Sequence, residues 1–79
     1  MLVKVRLYAT LHKANPVNKS GDEFEVDLPA GSTVTDLIVV LNIRPNEVKA
    51  IRINGRARAE MYRLHDNDEV DLFPPIGGG

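Results

Sequence analysis

Only one stretch of this chain repeats its apolar residues at helical spacing, and segments that alternate with a period of two lie on both sides of it. Val34, Leu37, Ile38 and Leu41 fall at i, i+3, i+4 and i+7, which lines one continuous face of a helix. That stripe has to bury itself against a sheet, because no second helical stripe is there to receive it. Ser32-Thr33 supplies hydroxyls to cap the helix, and Asp36 stands three residues beyond Thr33 in the spacing of a capping box. Its charge also suits the positive helix N-terminus. Pro45 disfavours a helical conformation at Arg44, so the helix is predicted to end near Leu41-Asn42, before an irregular step through Arg44-Pro45-Asn46-Glu47.

The alternating segments supply the sheet. Val3, Val5 and Leu7 fall on one face of the first, with Lys4, Arg6 and Tyr8 on the other. Alternation returns at Phe24, Val26 and Leu28 until Pro29 ends it, which predicts a second strand pairing antiparallel with the first. Between them Ala9 to Asp22 breaks the pattern, and Asn15 to Asp22 is dense in turn formers, as expected of an exposed, mobile connection opening with a helical turn. After the helix comes Ala50-Ile51-Arg52-Ile53, then Asn54-Gly55, a two-residue hairpin signal because both central residues of a type I′ turn need positive φ. Arg56-Ala57-Arg58-Ala59 is the predicted return strand, His65 to Asp68 a polar turn, and Glu69 to Phe73 a last strand with Val70 and Leu72 inward and Asp71 outward. Pro74-Pro75 ends all pairing for want of N–H donors. A hairpin followed by a helix crossing one face of a mixed sheet of four to five strands is the β-grasp arrangement, the natural topology for right-handed crossover, although the pattern alone leaves other α+β folds open. The expected organisation is one domain over residues 1–73 and a flexible tail over 74–79.

At 79 residues the domain buries only a little over half of its unfolded surface, which leaves little room for an internal pocket. Cysteine is absent, excluding disulfides, thiolate zinc sites and a cysteine nucleophile on this chain. Ten Lys+Arg against eleven Asp+Glu is too balanced for charge-driven nucleic-acid binding, so a protein partner is expected. No segment approaches the roughly 20 apolar residues that cross a bilayer, and the N-terminus reads as a strand rather than a signal peptide, so a cytoplasmic location without membrane contact is expected.

The chemistry is expected at the end, Phe73-Pro74-Pro75-Ile76-Gly77-Gly78-Gly79, which holds three of the six glycines. Glycines cost the most backbone entropy to order and bury no side chain, so three in a row serve a structural end poorly. They serve a threaded end well, because a tail without β-carbons fits a narrow channel; Gly77 and Gly78 are the threading residues. Extended from Pro74, six residues reach roughly 20 Å. The α-carboxyl of Gly79, with an unperturbed pKa of about 3.3 to 3.7, is an anion at neutral pH and can attack the α-phosphate of ATP held by a partner enzyme. The acyl-adenylate is then open to a sulfur donor such as a persulfide, leaving a C-terminal thiocarboxylate. No cofactor need bind this chain itself; ATP belongs to the activating partner. Glycine alone also fits an idle flexible end, and the Phe-Pro-Pro-Ile context is what favours the working tail.

From Val3-Lys4-Val5-Arg6-Leu7 through Gly31-Ser32-Thr33-Val34 and Ile53-Asn54-Gly55 to Asp68-Glu69-Val70-Asp71-Leu72-Phe73-Pro74-Pro75 and the glycines, the chain resembles the ubiquitin-like sulfur carriers. That family contains the molybdopterin synthase small subunit and the thiamine-thiazole sulfur carrier, and Phe-Pro-Pro is closer to the molybdopterin branch. The resemblance implies adenylation by a ubiquitin-activating-type enzyme, thiocarboxylate formation and, in that branch, insertion of the tail into the large synthase subunit. It implies a co-substrate rather than an enzyme acting alone. Thiazole synthesis, conjugation of Gly79 to lysines of other proteins, and a plain interaction domain with an inert tail stand as alternatives. The third glycine makes Gly79 the reactive residue only if the mature end is the encoded one.

Other residues weigh less. His12 and His65 stand in separate predicted loops with no ligand pattern beside them and are read as solvated. Arg52, Arg56, Arg58 and Arg63 concentrate positive charge that could dock an acidic surface, or simply line an exposed strand. Phe73 and Ile76, with Pro74 and Pro75, could anchor the tail in a partner groove, while Phe73 could equally close the domain's own core.

Overall fold

The structure, a computed structural model, describes residues 1–15 and 21–75. Five strands, β1 (Leu2–Leu7), β2 (Glu23–Asp27), β3 (Ala50–Ile53), β4 (Arg56–Ala57) and β5 (Glu69–Phe73), and one α-helix, α1 (Val34–Val40), follow the predicted order. The strands form a single sheet in the order β2-β1-β5-β3-β4. β1 pairs antiparallel with β2, Val3 facing Val26 and Val5 facing Phe24, and parallel with β5, Val5 facing Val70 and Leu7 facing Leu72. β3 is antiparallel to both β5 and β4. The last strand in sequence is therefore the middle strand of the sheet.

Period-two alternation now has its physical meaning. Val3, Val5 and Leu7 of β1, Ile51 and Ile53 of β3 and Val70 and Leu72 of β5 are buried in one cluster with Val34, Leu37 and Ile38 of α1. This is the β-grasp fold read from the sequence, with the core between one face of the sheet and the helix. Both halves of the expected capping box are made: Asp36 N donates to Thr33 Oγ1 (3.3 Å) and Thr33 N to Asp36 Oδ2 (2.9 Å). Two more helix N-terminal donors are met by tertiary carbonyls, Val34 N by Tyr62 O (3.1 Å) and Thr35 N by Glu60 O (2.9 Å).

Those two bonds explain the first correction. The return strand read over Arg56 to Ala59 stops at Ala57, because residues 60–62 are drawn across to cap α1 and the chain turns through a Tyr62 N to Ala59 O bond (3.0 Å). Second, the connection after β1 is less exposed than expected: Ala9–Ala14 is a 3-10 helix that buries Leu11, and Asn15 is buried with its Nδ2 donating to Asp22 O (3.1 Å). The expected mobility of this connection falls on residues 16–20, outside the described residues. Third, the irregular step at Pro45 is a 3-10 turn, Pro45–Glu47, entered from an extended Arg44 as the proline requires.

The hairpin is as predicted, with Asn54 at φ 52 and Gly55 at φ 82. Asn54 does more than turn the chain. Its Nδ2 donates to Asp68 Oδ1 (2.9 Å) and its Oδ1 accepts from Glu69 N (2.9 Å), while Asp68 Oδ2 accepts from His65 N (2.8 Å). The hairpin tip thus fixes the turn that feeds β5. Pro74 and Pro75 follow β5 outside any strand, and the remaining tail residues, 76–79, lie outside the described residues. No helix among the described residues is long and apolar enough to cross a membrane.

Candidate functional site

The described part of the expected site is the root of the tail, where β5 leaves the sheet. Because β5 is central, it is bonded on both sides up to its last residue. Tyr8 N donates to Leu72 O (3.2 Å) from the β1 side, and Lys49 N donates to Phe73 O (2.8 Å) from the β3 side. The next residue is Pro74, which has no N–H to continue the ladder.

Alternation places the side chains around this root on the face of the sheet away from α1. Phe73 stacks on Tyr8, the residue after β1, with ring centroids 4.7 Å apart and planes 8° from parallel. The Arg52 guanidinium carbon lies 4.9 Å from the Phe73 ring centroid. Beside them Asp71, 4% exposed, is approached by two guanidinium groups and a phenol. Arg6 Nε donates to its Oδ1 at 2.7 Å, Tyr8 OH stands 3.5 Å from the same oxygen, and Arg52 Nη2 lies 3.6 Å from Oδ2. Arg6 Nη2 also reaches Glu69 Oε1 at 3.1 Å. The hydrogen bond to Asp71 raises the Arg6 pKa above its ordinary value, the Coulombic pull of Asp71 adds to it, and desolvation opposes both. A carboxylate this buried needs such partners, since an unpaired one would bear most of its desolvation cost.

Of the site residues read from the sequence, Phe73 and Pro74 are half-buried at this root and Pro75 is exposed. Phe73 does not close the core: it stands on the opposite face from it. Ile76, Gly77, Gly78 and Gly79 lie outside the described residues. Arg56 and Arg58 are exposed at the β4 edge, and the Arg58 guanidinium sits 5.3 Å from the centroid of its own Tyr62 ring. Sequence reading missed Tyr8, Arg6 and Asp71 as members of the root. Alternation already set all three on the outward face, but only the parallel β1–β5 pairing brings them together. His12 Nδ1 lies 2.7 Å from Ala9 O, and His65 Nδ1 lies 3.7 Å from Asp68 Oδ2. Among the described residues no group of three or more His, Cys, Asp or Glu could hold a metal ion.

Residues 5–79 match the sequence profile of the ThiS family, from β1 through the terminal glycine. The chain belongs to the ThiS family. No curated protein matches the sequence. Solved structures similar to this ThiS-family chain share its fold. A Pyrococcus furiosus protein provisionally designated molybdopterin converting factor subunit 1 is 30% identical, with a TM-score of 0.71 over 96% of this chain and 99% of that one. Small archaeal modifier protein 1 of Haloferax volcanii is 23% identical, with a TM-score of 0.71 over 95% and 98% of the two chains. A chain from the complex of subunits 1 and 2 of the Helicobacter pylori molybdopterin-converting factor is 24% identical, with a TM-score of 0.61 over the full length of both. The chain thus combines membership of the ThiS family with the ubiquitin-like β-grasp fold.

Proposed function

We propose that this ThiS-family chain is a sulfur carrier, and that its working group is the carboxylate of Gly79. The observation that carries the reading is that the family match runs through the terminal glycines rather than stopping at the globule. The central position of β5 and the pinned carbonyls of Leu72 and Phe73 support it, because they give the tail a fixed point of departure.

In this reading a ubiquitin-activating-type partner binds ATP, a carboxylate oxygen of Gly79 attacks the α-phosphorus, and pyrophosphate leaves. A partner's persulfide then attacks the acyl carbon of the adenylate and AMP leaves, giving an acyl disulfide. A second thiol takes the donor's sulfur into an ordinary disulfide and releases the thiocarboxylate on Gly79. This chain has no cysteine, so both thiols belong to other molecules. It acts as a co-substrate that is loaded and emptied. Gly77 and Gly78 thread the partner's channel, and Pro74, Pro75 and Ile76 line its entrance. The likeness to the Pyrococcus protein, at 30% identity, supports molybdopterin synthesis as the destination, with a large synthase subunit as acceptor; the Helicobacter complex of subunits 1 and 2 illustrates such a pairing on the same fold.

The test is to incubate the chain with an active adenylating enzyme of its source organism, ATP and a sulfur donor, and to weigh the product. The expected result is a mass gain matching exchange of one carboxylate oxygen for sulfur, localised to Gly79. No gain, or equal activity from a C-terminally amidated chain, overturns the carrier reading; recovery of Gly79 in isopeptide linkage on lysines with no thiocarboxylate makes the chain a modifier.

A further inference from the structure

Asn54-Gly55 is the only Asn-Gly step in the chain, and besides setting the hairpin it places two groups side by side that can react. The Gly55 nitrogen can attack Cγ of the Asn54 side chain, because glycine puts no Cβ in the way. A Cγ–N bond forms, the Gly55 N–H proton and the side-chain NH2 leave together as ammonia, and a five-membered succinimide remains. Water then opens that ring at either carbonyl. One product is aspartate; the other is isoaspartate, in which the main chain runs through the former side chain.

The fold treats the two reactants differently. Both residues are exposed, and an added Cβ at Gly55 meets nothing within 4 Å, so water has access. The Gly55 N–H has no acceptor among the described residues. The electrophile, by contrast, is held at both ends: Asn54 Nδ2 donates to Asp68 Oδ1 (2.9 Å), its Oδ1 accepts from Glu69 N (2.9 Å), and its own N donates to Glu69 O (2.8 Å). The turn restrains it as well. Ring closure needs the Gly55 nitrogen on the same side of the Asn54 Cα–C bond as Cβ, whereas a type I′ turn, with ψ of about 30° at its first central residue, holds it on the far side.

We propose that Asn54 is a deamidation site gated by this clasp: the closed hairpin protects it, and each opening of the tip exposes it to attack by Gly55. Opening is local. β4 has two residues and lies at the edge of the sheet, so the tip can part from it while the core stays closed. Neither product can remake the clasp. An aspartate at this position sets a carboxylate, in place of the amide donor, against the carboxylate of Asp68, which is 7% exposed. An isoaspartate adds a methylene to the main chain of a two-residue turn. Either one frees the turn that feeds β5, the strand that carries the tail. The site is independent of what the tail carries, so it stands or falls apart from the carrier reading.

The experiment follows the full chain over time at neutral pH by peptide mass spectrometry, reading exchange of NH for O at Asn54. In the folded wild type the reaction is expected to run at least about tenfold slower than in the same chain unfolded in urea, the worth of one hydrogen bond to a charged group. Asp68→Asn, which gives Nδ2 a neutral amide in place of a carboxylate, is expected to speed it about tenfold in a chain whose circular dichroism matches wild type. Asn54→Asp, one of the products, is expected to lower the urea midpoint. Asn54→Asp/Asp68→Asn is expected to recover most of that loss, since the clasp re-forms with donor and acceptor exchanged. If Asp68→Asn alone does not fold, the comparison of folded with unfolded wild type and the exchange decide. Equal rates in folded and unfolded wild type, a folded Asp68→Asn chain that deamidates no faster, or an Asn54→Asp chain that is as stable as wild type or is not rescued by the exchange overturns the proposal.

Discussion

The stack at the tail root makes a quantitative prediction. Phe73 and Tyr8 lie near the close end of the usual range for aromatic pairs, at 4.7 Å, and their planes are almost parallel. A pair of this kind is worth about 1 kcal/mol beyond its burial. The Arg52 contact, on a side chain 48% exposed, adds about 0.5 kcal/mol. Losing the burial of a half-buried ring adds about 1 kcal/mol more. Phe73→Ala should therefore cost about 2.5 kcal/mol, and at about 4–8 °C per kcal/mol for a domain of this size it should lower the Tm by about 10–20 °C. The decisive measurement is a double-mutant cycle by urea unfolding on Tyr8→Ala, Phe73→Ala and the double variant. The expected coupling is about 1 kcal/mol, whereas side chains that merely share a surface add independently to within about 0.3–0.5 kcal/mol. Tyr8→Phe should keep nearly all of the coupling, because the phenol oxygen is 3.5 Å from Asp71, at the limit of a hydrogen bond. A coupling within the additive range would refute the claim that the two rings hold one another.

Arg6→Met should destabilise more than Asp71→Ala, about 3 against about 2 kcal/mol by urea unfolding, because the first leaves a carboxylate that is 4% exposed with only the longer contacts to Tyr8 and Arg52, while the second frees guanidinium groups that can turn to water. The Arg6 term should not vary with pH in the neutral range: its folded pKa is raised, so the stabilisation is complete below the unfolded value and is lost only as pH rises through the folded one, in strong alkali. Gly55→Ala should cost about 1–2 kcal/mol by thermal unfolding although an added Cβ meets nothing within 4 Å, since the whole penalty is the backbone at φ 82.

Local rules made some of this legible and could not reach the rest. The helix, its cap at Thr33 and the Asn54-Gly55 turn depend on residues within four positions of one another, and these came through intact. The faces of the strands were legible too, because a period of two needs no knowledge of the partner. What the sequence could not supply was which strands touch. Arg6 and Asp71 are 65 residues apart, and so are Tyr8 and Phe73, so no window along the chain contains the tail root. The length of β4 failed for a related reason: Arg58-Ala59 reads as strand, but the carbonyls of Glu60 and Tyr62 just beyond are needed by Thr35 and Val34 of the helix, and that demand is tertiary. The helical turn opening the first connection was legible, but the burial of Leu11 and Asn15 was not, because a 3-10 helix of six residues carries too short a pattern to show which face is buried.

The position of β5 also ties the site to folding itself. The strand that carries the tail is last in sequence and central in the sheet, and its partners come from both the beginning of the chain and the middle. An edge strand can open locally at little cost, whereas a strand bonded on both sides and buried against a helix opens only with most of the domain. Phe73 can therefore meet Tyr8, Lys49 and Arg52 together only in a chain that has completed its sheet. A partner that contacts the stack would therefore be reading the folded state of the whole sheet.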